Sequence, residues 1–318
     1  MISIIIGYIL DLIIGDPQRF PHPIRLIGNI ITKVEKKLRA RYKNSNDERR
    51  AGIILWFIVV GTSFIVPYLI LSIATIINIY LAIAIESIMC YYILATKSLR
   101  DESMKVYHAL KNNNIIEARK FLSYIVGRDT ENLSDILIAK ATVETVAENT
   151  SDGVIAPMIF ILIGGAPFGF MYKAINTLDS MVGYKNEKYI NLGRFSAIAD
   201  DLANYIPSRL AAFLMIASSF FIGMDYKSAF KIFKRDRYNH QSPNSAQTES
   251  VCAGALNIML GGSNYYGGVL VPKSTIGDDV RAIDIEDIKR ANTLMYVTSL
   301  LCVIVGVAIA ILIKILFH

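Results

Sequence analysis

Cysteine and histidine are scarce in this chain, which has three Cys and four His among 318 residues. Cys90, Cys252 and Cys302 lie far apart, and two of them fall within apolar segments. That spacing predicts buried thiols and argues against a disulfide or a cysteine-based metal site. The histidines are equally scattered. No Ser-His-Asp or Cys-His arrangement for nucleophilic catalysis stands out.

Several common signatures are also missing. The chain has no G-x-x-x-x-G-K-[ST] loop and no G-x-G-x-x-G between a strand and a helix, which excludes the usual nucleotide-binding loops. It has no sustained strand-type alternation, no internal repeat other than a doubled Asn-Thr-x-Asp pattern, and no RNA- or DNA-binding motif. The N-terminal segment lacks a basic leader and carries Asp11 in its apolar run, which argues against a cleavable signal peptide.

Apolar residues dominate the composition. They make up 53% of the chain, and the mean hydropathy is +0.42. Such values are typical of a polytopic membrane protein. Charged residues still reach 19%, and the net charge of +6 is concentrated in a few loops, which indicates membrane orientation and not nucleic-acid binding. We therefore predict an all-α, polytopic helical membrane protein with large cytoplasmic helical loops, forming one domain over 1–318.

Hydropathy and length predict four spans. Segment 1–14 is shorter than the roughly 20 residues that cross a bilayer, so it either inserts partly, lies at the interface or packs on other helices. Segment 33–50 holds eight Lys/Arg against three acidic residues, which places it in the cytoplasm. Glu86 is a lone acid in an apolar helix, either at a helix end or in a site. The predicted spans are 52–72, 75–95, 206–224 and 293–317.

Segment 154–172 is apolar but carries Pro157, Gly164, Gly165 and Pro167. The Asn-Thr-x-Asp pattern flanks it on both sides, and a straight helix would separate its two copies by roughly 30 Å. Irregular backbone at membrane depth is tolerated where protein buries it. We therefore predict a re-entrant or broken hairpin that returns Asp179 to the side of Asp152.

Carboxylates and amides gather around this segment, within 140–209. Glu144 and Glu148 are four residues apart on a predicted helix and so share one face, which is either solvated or part of a site. Acidic residues beside membrane-grade sequence are costly unless they have a function. Oxygen ligands suit Mg2+ carrying phosphates. The predicted metal ligands are Glu144, Glu148, Asp152, Asp179 and Asp200, and the first four are also the predicted catalytic residues.

Other polar residues are candidates for binding substrate or phosphate. A proline-rich loop around 16–23 is either a rigid turn or a lid over an anionic substrate. Arg209 either snorkels outward or faces an anion. Glycines near 261–268 either form a plain turn or cradle phosphate with their amides. The full set is Asp16, His22, Asn149, Lys173, Asn176, Lys185, Arg194, Arg209, His240, Ser242, Asn244, Gly261, Gly262, Asn264 and Tyr265.

Six blocks in order resemble the adenosylcobinamide-phosphate synthases of cobalamin biosynthesis, the CobD/CbiB family. They are LDLIIGDPQRFPHPIRLIG, ETVAENTSDGVIAP, GGAPFGFMYKAINTLDSMVGYKNEKY, DDLANYIPSRL, HQSPNS and GGSNYYGG. No single block would be specific, but the ordered set covers the chain from end to end. The CDP-alcohol phosphotransferase signature, by contrast, fails: Asp152-Gly153 lacks the arginine and the later aspartates that it requires.

The resemblance implies a carbon–nitrogen ligase. It would join adenosylcobyric acid to (R)-1-amino-2-propanol or its O-phosphate, with ATP as co-substrate and Mg2+ as cofactor. It also implies a multi-pass protein of the cell membrane, with its active site facing the cytoplasm. A homo-oligomer or contacts with neighbouring pathway enzymes remain open. The alternative is a corrinoid-binding membrane subunit or transporter without chemistry.

Overall fold

The computed structural model describes residues 1–16, 22–42 and 44–317. In these ranges the chain is almost wholly helical, which confirms the all-α prediction. The proline loop lies largely outside the described residues, and Pro23 begins the second helix. The helices are α1 Ile2–Ile14, α2 Pro23–Arg39, α3 Ser45–Ile77, α4 Ile79–Ile93, α5 Thr96–Lys111, α6 Ile115–Ser123, α7 Asp135–Asn149, α8 Ala156–Val182, α9 Arg194–Phe221, α10 Tyr226–Asp236, α11 Ser245–Leu256 and α12 Glu286–Phe317.

The chain divides into two compact units, each made of separate stretches. The first unit comprises 1–95, 156–204 and 306–318, and the second comprises 96–155 and 205–305. The single domain over 1–318 therefore stays a prediction.

In the first unit, small residues let helices approach closely. Gly7 of α1 lies against α4, where an added Cβ would stand 2.5 Å from the Cys90 Cβ. Gly52 of α3 leaves room in the same way for the turn that holds Leu192, whose carbonyl oxygen an added Cβ would meet. Small residues at such crossings are how membrane-type helices pack without a hydrophobic driving force between them.

Helix α8 is two helices joined at a break. Gly164 and Gly165 leave the helical region, and Gly165 has φ +70°, which favours glycine. The rings of Phe160 and Tyr172 lie 4.9 Å apart, whereas 12 residues of straight helix would separate them by about 18 Å. The chain therefore reverses direction, which confirms the broken segment predicted at 154–172.

Glu86 sits at this break. It lies in the middle of α4, its Oε1 accepts the Ala166 N–H at 3.4 Å, and its Oε2 accepts the Ser3 hydroxyl at 2.7 Å. An amide freed by a broken helix at membrane depth needs a partner. Glu86 supplies that partner, so its position is not the helix end considered above.

The chain after the hairpin returns to the beginning of α3. Arg49 Nε donates to Asn191 Oδ1 at 3.3 Å, and Leu192 packs on Gly52. In the first unit, the segment that follows the hairpin thus lies at the same end as the basic N-terminal turns of α3.

In the second unit, α11 is buried along its whole length. Asp236, at the end of α10, accepts both Arg235 Nε at 2.7 Å and Arg235 Nη2 at 2.8 Å, as well as the Gly277 N–H at 2.8 Å. Four short strands pair antiparallel in this unit. They are β1 Leu260–Gly261 with β4 Thr275–Ile276, and β2 Asn264–Tyr266 with β3 Val269–Val271. Strands of two or three residues are too short to show alternation in the sequence.

Among the described residues, four helices are long and apolar enough to cross a membrane. The predicted span 52–72 falls within the first of them, 75–95 begins at the end of the first and lies mostly in the second, and 293–317 overlaps the last except for its final residue; the remaining one contains the broken hairpin. The predicted span 206–224 lies largely in α9, which is not among the four, and α1 is a shorter apolar helix. The four are Ser45–Ile77, Ile79–Lys111, Asp135–Val182 and Glu286–Leu316.

Candidate functional site

Helix α7 carries the two predicted glutamates of the second unit. Ser134 caps its first turn by accepting the Leu137 N–H at 3.5 Å. Glu144 is buried, and its Oε2 pairs with Arg128 Nη2 at 2.6 Å while its Oε1 accepts the Gly261 N–H at 2.7 Å. Both oxygens are thus engaged within the protein. Glu144 ties the glycine-rich segment to α7.

The glycine-rich segment is held by further contacts. Asp129 accepts the N–H groups of Gly267 at 2.9 Å and Gly268 at 2.7 Å. The Gly262 N–H donates to the Ser274 carbonyl at 3.1 Å. With the Gly261 N–H on Glu144, all four glycine amides have acceptors in the protein. This geometry favours the plain turn over the phosphate cradle.

Three buried or half-buried glutamates form what we call the glutamate cluster: Glu144, Glu148 and Glu249. Ser245 Oγ donates to Glu148 Oε1 at 2.7 Å. Burial raises the pKa of Glu249 well above its usual range, and the nearby Glu148 and Glu144 carboxylates raise it further, while Lys273 and Arg128 oppose them. Like charges in a buried site keep one carboxyl protonated.

His240 borders this cluster. Its Nδ1 accepts the Ser242 N–H at 3.0 Å, so Nε2 carries the ring hydrogen. Burial lowers the pKa of His240, with Glu148 opposing and Lys273 adding to the effect. A neutral imidazole at neutral pH follows. A cavity of about 240 Å³ opens beside it, lined by Tyr238, Asn239, His240, Gln241, Pro272, Lys273 and Ser274.

Arg209 fixes the loop after His240. Its Nη1 donates to Asn244 Oδ1 at 3.0 Å and to the Tyr205 carbonyl at 2.6 Å, and its guanidinium lies 3.5 Å from the Tyr205 ring centroid. Asn244 N–H in turn donates to Ser242 Oγ at 3.3 Å. In the second unit, Arg209 therefore positions Asn244 directly and Ser242 through Asn244.

In the first unit, the ends of α8 and α9 form an amide–carboxylate cluster of Tyr172, Asn176, Asp179, Asp200 and Asn204. Asp200 accepts Asn176 Nδ2 at 3.3 Å and Asn204 Nδ2 at 3.0 Å. Tyr172 donates its hydroxyl to Asn204 Oδ1 at 2.8 Å. Burial raises the pKa of Asp200 to about 7, and the Asp179 carboxylate contributes to that rise. The structure thus brings the candidate residues Asn176, Asp179 and Asp200 together in the first unit.

A second group of predicted residues meets at the start of α2. His22 Nδ1 caps the helix by accepting the Ile24 N–H at 3.3 Å, and its Nε2 lies 3.8 Å from Asp16 Oδ1. Burial lowers the pKa of His22; Asp16 opposes this, while Arg25 and Lys173 add to it. Asp16, His22 and Lys173 are therefore neighbours in the first unit.

The five predicted metal ligands do not form a single metal site within either unit. Within 1–16, 22–42 and 44–317, no three His, Cys, Asp or Glu side chains come close enough together to hold a metal ion. Asp152 lies in a π-helical turn, Thr150–Ile155, a feature that often marks functional sites. Its Asn-Thr-x-Asp motif belongs to the second unit and that of Asp179 to the first. Their meeting stays a prediction.

Comparison with known proteins identifies the family. The family model described as CobD/Cbib protein matches residues 4–295. The chain belongs to the CobD/CbiB family. Cobalamin biosynthesis protein CobD of Clostridium perfringens is 51% identical over 316 residues, covering 99% of this chain and 100% of that protein.

Other relatives extend this CobD/CbiB assignment across genera. CobD of Clostridium tetani is 45% identical over 305 residues, covering 96% of each chain. Cobalamin biosynthesis protein CbiB of Salmonella typhi is 45% identical over 303 residues, covering 95% of each chain. No solved structure matches the chain significantly.

Four predicted residues of this CobD/CbiB protein stand apart from the two clusters. Lys185 lies in an exposed loop, and Arg194 is exposed at the start of α9. Asn149 Nδ2 donates to the Thr145 carbonyl of its own helix at 2.9 Å. Tyr265 is 56% exposed on β2.

Sequence reasoning missed several residues of the clusters in this CobD/CbiB protein. Arg128 gave no sequence signal, because its role depends on Glu144 and on Asn264, whose Oδ1 accepts Arg128 Nη1 at 3.0 Å. Glu249 lies four residues after the HQSPNS block, and Asn204 lies within the DDLANYIPSRL block. Asn204 could have been found by extending the candidate set through that block.

Proposed function

We propose that this protein acts in cobalamin biosynthesis as a membrane-bound ligase that joins adenosylcobyric acid to (R)-1-amino-2-propanol or its O-phosphate. The relatives are named for cobalamin biosynthesis. The observation that carries the proposal is the glutamate cluster, where three carboxylates lie beside Arg128, Lys273 and His240 in the interior of the second unit. Mixed charge of this kind suits a substrate that is both an amine and a phosphate.

The chemistry requires activation, because hydroxide is a poor leaving group from a carboxylate. A carboxylate oxygen of the corrinoid attacks the γ-phosphorus of ATP, and ADP leaves. The amine nitrogen then attacks the acyl carbon of the acyl phosphate. Phosphate departs with one former carboxylate oxygen, and the nitrogen loses a proton to a nearby base or to water. Net products are the amide, ADP and phosphate.

The second unit offers residues for the small amine. Lys273 and the His240 Nε2–H face the cavity of about 240 Å³, which is far smaller than a corrinoid and can hold an amino-alcohol phosphate. Glu148 lies close enough to His240 to oppose the lowering of its pKa by burial, and it accepts a hydrogen bond only from Ser245 among the contacts described. In the proposal, Lys273 and His240 bind phosphate oxygens, and Glu148 orients the amine and accepts its proton.

In the proposal, Mg2+ binds two of the five acidic residues predicted as its ligands. Mg2+ commonly uses one or two carboxylates plus phosphates and waters. Asp179 and Asp200 are the carboxylate pair that the first unit brings together, with Asn176 on Asp200. Glu144 does not fit, since the Arg128 guanidinium already neutralises its charge and the Gly261 N–H holds its other oxygen, whereas the partners of Asp200 are neutral amides. When bound, the ion would offset negative charge on the phosphoryl oxygens.

The proposed setting is the cell membrane, with the active site facing the cytoplasm, where ATP is available. A corrinoid transporter is the second candidate, because Glu86 at a broken helix resembles the acids of ion-coupled carriers. Such a carrier would bind the corrinoid but would not use ATP to activate its carboxylate.

An isotope experiment separates the two functions. Purified protein is incubated with adenosylcobyric acid whose carboxylate carries ¹⁸O, with the amine, ATP and Mg2+. The ligase predicts the amide by mass and one ¹⁸O in the released phosphate. Corrinoid binding without labelled phosphate or amide would instead support the transporter.

A further inference from the structure

An apolar groove in the first unit has no part in the proposed chemistry. It has a volume of about 440 Å³ and is walled by α2, α3 and α4, with Phe170 of α8 at one side. Its lining includes Leu26 and Ile30 of α2, Val66 of α3 and Ile88 of α4. The volume, the opening and the apolar walls suit one fatty acyl chain.

Two walls of the groove, α3 and α4, belong to helices that are long and apolar enough to cross a membrane, where lipid is the surrounding solvent. Leu26 is 61% exposed, Val66 53% and Ile88 50%. The Thr62 hydroxyl on the wall donates to the Ile58 carbonyl of its own helix at 2.7 Å and offers no polar floor. Ser63 and Tyr92 are the other hydroxyl-bearing residues of a lining that is otherwise apolar, so a corrinoid with its many amides would find few partners here.

The edge of α2 that borders the groove changes character along its length. Leu26, Ile30, Lys33 and Lys37 follow one another at intervals of four, three and four residues, so they share one helix face. The first two line the groove, and the two lysines are exposed beyond it. The edge passes from apolar to basic within two turns.

No acidic residue of α2 lies close to Lys33 and Lys37 on this edge. Glu35 is the one acid of the helix, about half a turn away from the lysines, and it pairs with Arg39 Nε at 2.8 Å. Lys33 and Lys37 lie on the side of α2 that leads to the basic segment predicted to be cytoplasmic. An anion at the membrane surface would meet them directly above the groove.

We propose that this groove binds an anionic phospholipid, with an acyl chain along Leu26, Ile30, Val66 and Ile88 and the phosphate at Lys33 and Lys37. Basic residues close to a membrane surface each strengthen binding to anionic lipid by about fivefold. The lipid fixes α2 against α3 and α4, and so supports His22, which caps the first turn of α2.

The test titrates delipidated full-length protein in detergent with phosphatidylglycerol or phosphatidylcholine of the same acyl chains, monitored by native mass spectrometry. Phosphatidylglycerol should bind more tightly. Lys33→Gln with Lys37→Gln should weaken phosphatidylglycerol binding by roughly 30-fold, since two lysines are removed, and leave phosphatidylcholine unchanged. Lys36→Gln, on another face of the same helix, is the matched control and should bind like wild type.

A groove-filling variant tests the acyl-chain half of the proposal. Val66→Trp should weaken both lipids, and Ile88→Trp serves in its place if Val66→Trp does not fold. Equal affinity for the two lipids, or an unchanged affinity in the double lysine variant, would overturn the headgroup site. Unchanged phosphatidylglycerol binding in the folded tryptophan variant would overturn the groove, and competition by glycerol phosphate alone would show a free-phosphate site instead.

Discussion

Asp236 is a buried carboxylate of the second unit that accepts hydrogen bonds at both of its oxygens. Arg235 contacts both its oxygens, and the Gly277 N–H adds a third bond. The hydrogen bonds from Arg235 hold the pKa of Asp236 below its ordinary value, although burial opposes them. Charge-assisted bonds of this kind are about twice as strong as neutral ones.

We expect Asp236→Asn to lower the free energy of unfolding by about 2 kcal/mol at neutral pH, because a buried, charge-assisted acceptor is lost. The folded-state pKa is depressed, so the stabilisation is present above the ordinary pKa of 3.8 and is lost as pH falls through the folded-state value. Thermal unfolding at pH 7 and near pH 3 checks this: the gap to wild type should shrink in acid.

The control for that measurement is Asp278→Asn. Asp278 also accepts from Arg235, at 2.7 Å, but its side chain is 42% exposed. Exposed pairs contribute little. Equal losses in the two variants, or a gap that widens in acid, would contradict the assignment.

Arg128 and Glu144 offer a second prediction at this scale. Their side chains are 14% and 6% exposed, so Arg128→Met leaves a buried carboxylate with its charge uncompensated. We expect a loss of about 3–5 kcal/mol. Adding Glu144→Gln removes that charge while keeping an acceptor for the Gly261 N–H, so the double variant should recover part of the loss in chemical unfolding. A double variant less stable than Arg128→Met would show that the uncompensated Glu144 charge does not cause the loss of stability.

At the scale of elements, the broken hairpin of α8 determines where the amide–carboxylate cluster lies. Its two halves pack antiparallel through Phe160 and Tyr172, and the Ala166 N–H freed at the break reaches Glu86. The first half, 156–163, rises about 12 Å, far less than a bilayer of roughly 30 Å. The first half alone is therefore too short to cross a bilayer.

Gly165→Ala should open this hairpin. Its φ of +70° is costly for alanine, and the new Cβ would stand 2.5 Å from Glu86 Oε1. We expect a loss of at least 1–2 kcal/mol from backbone conformation alone, read as a lower midpoint of thermal unfolding in detergent. Gly61→Ala in α3 is the matched control, since an added Cβ there meets nothing within 4 Å. Equal behaviour of the two variants would contradict the hairpin.

The hairpin could be predicted from the sequence because Gly164, Gly165 and Pro167 act locally, through the backbone conformations they allow. The shared face of Glu144 and Glu148 likewise follows from helix spacing. The bond from Gly261 to Glu144 joins residues 117 positions apart, and no local pattern encodes such a pairing. Glu249 was missed for a related reason. Helix α11 is buried on every side, so its sequence lacks the alternation of polar and apolar faces that would indicate which side of the helix faces a site.

At the scale of the whole molecule, membrane sidedness is the main prediction. In the first unit, Asn191 and Leu192 lie beside Arg49 and Gly52. The segment after the hairpin should therefore share the cytoplasmic face with the start of α3, and the end of α3 should face the other side.

Cysteine labelling in oriented vesicles checks this arrangement. Asn46→Cys and Glu187→Cys, both exposed, should label from the same face, and Ile77→Cys from the opposite face. The three native cysteines are buried and should stay silent. Labelling of Glu187→Cys together with Ile77→Cys would show that α8 crosses the membrane and that the returning hairpin is wrong.

The most direct test of the proposed activity is amide formation by purified protein and four variants. Wild type supplied with adenosylcobyric acid, aminopropanol phosphate, ATP and Mg2+ should yield the amide by mass. Loss of a proposed catalytic group should cut turnover by about 100-fold or more, so Glu148→Gln, Asp179→Ala and Asp200→Asn should be nearly inactive while still inserting into membranes. Asp135→Asn, at the exposed start of α7, should retain wild-type turnover. No amide from folded wild type, or wild-type turnover from Glu148→Gln and Asp200→Asn, would contradict the proposed ligase.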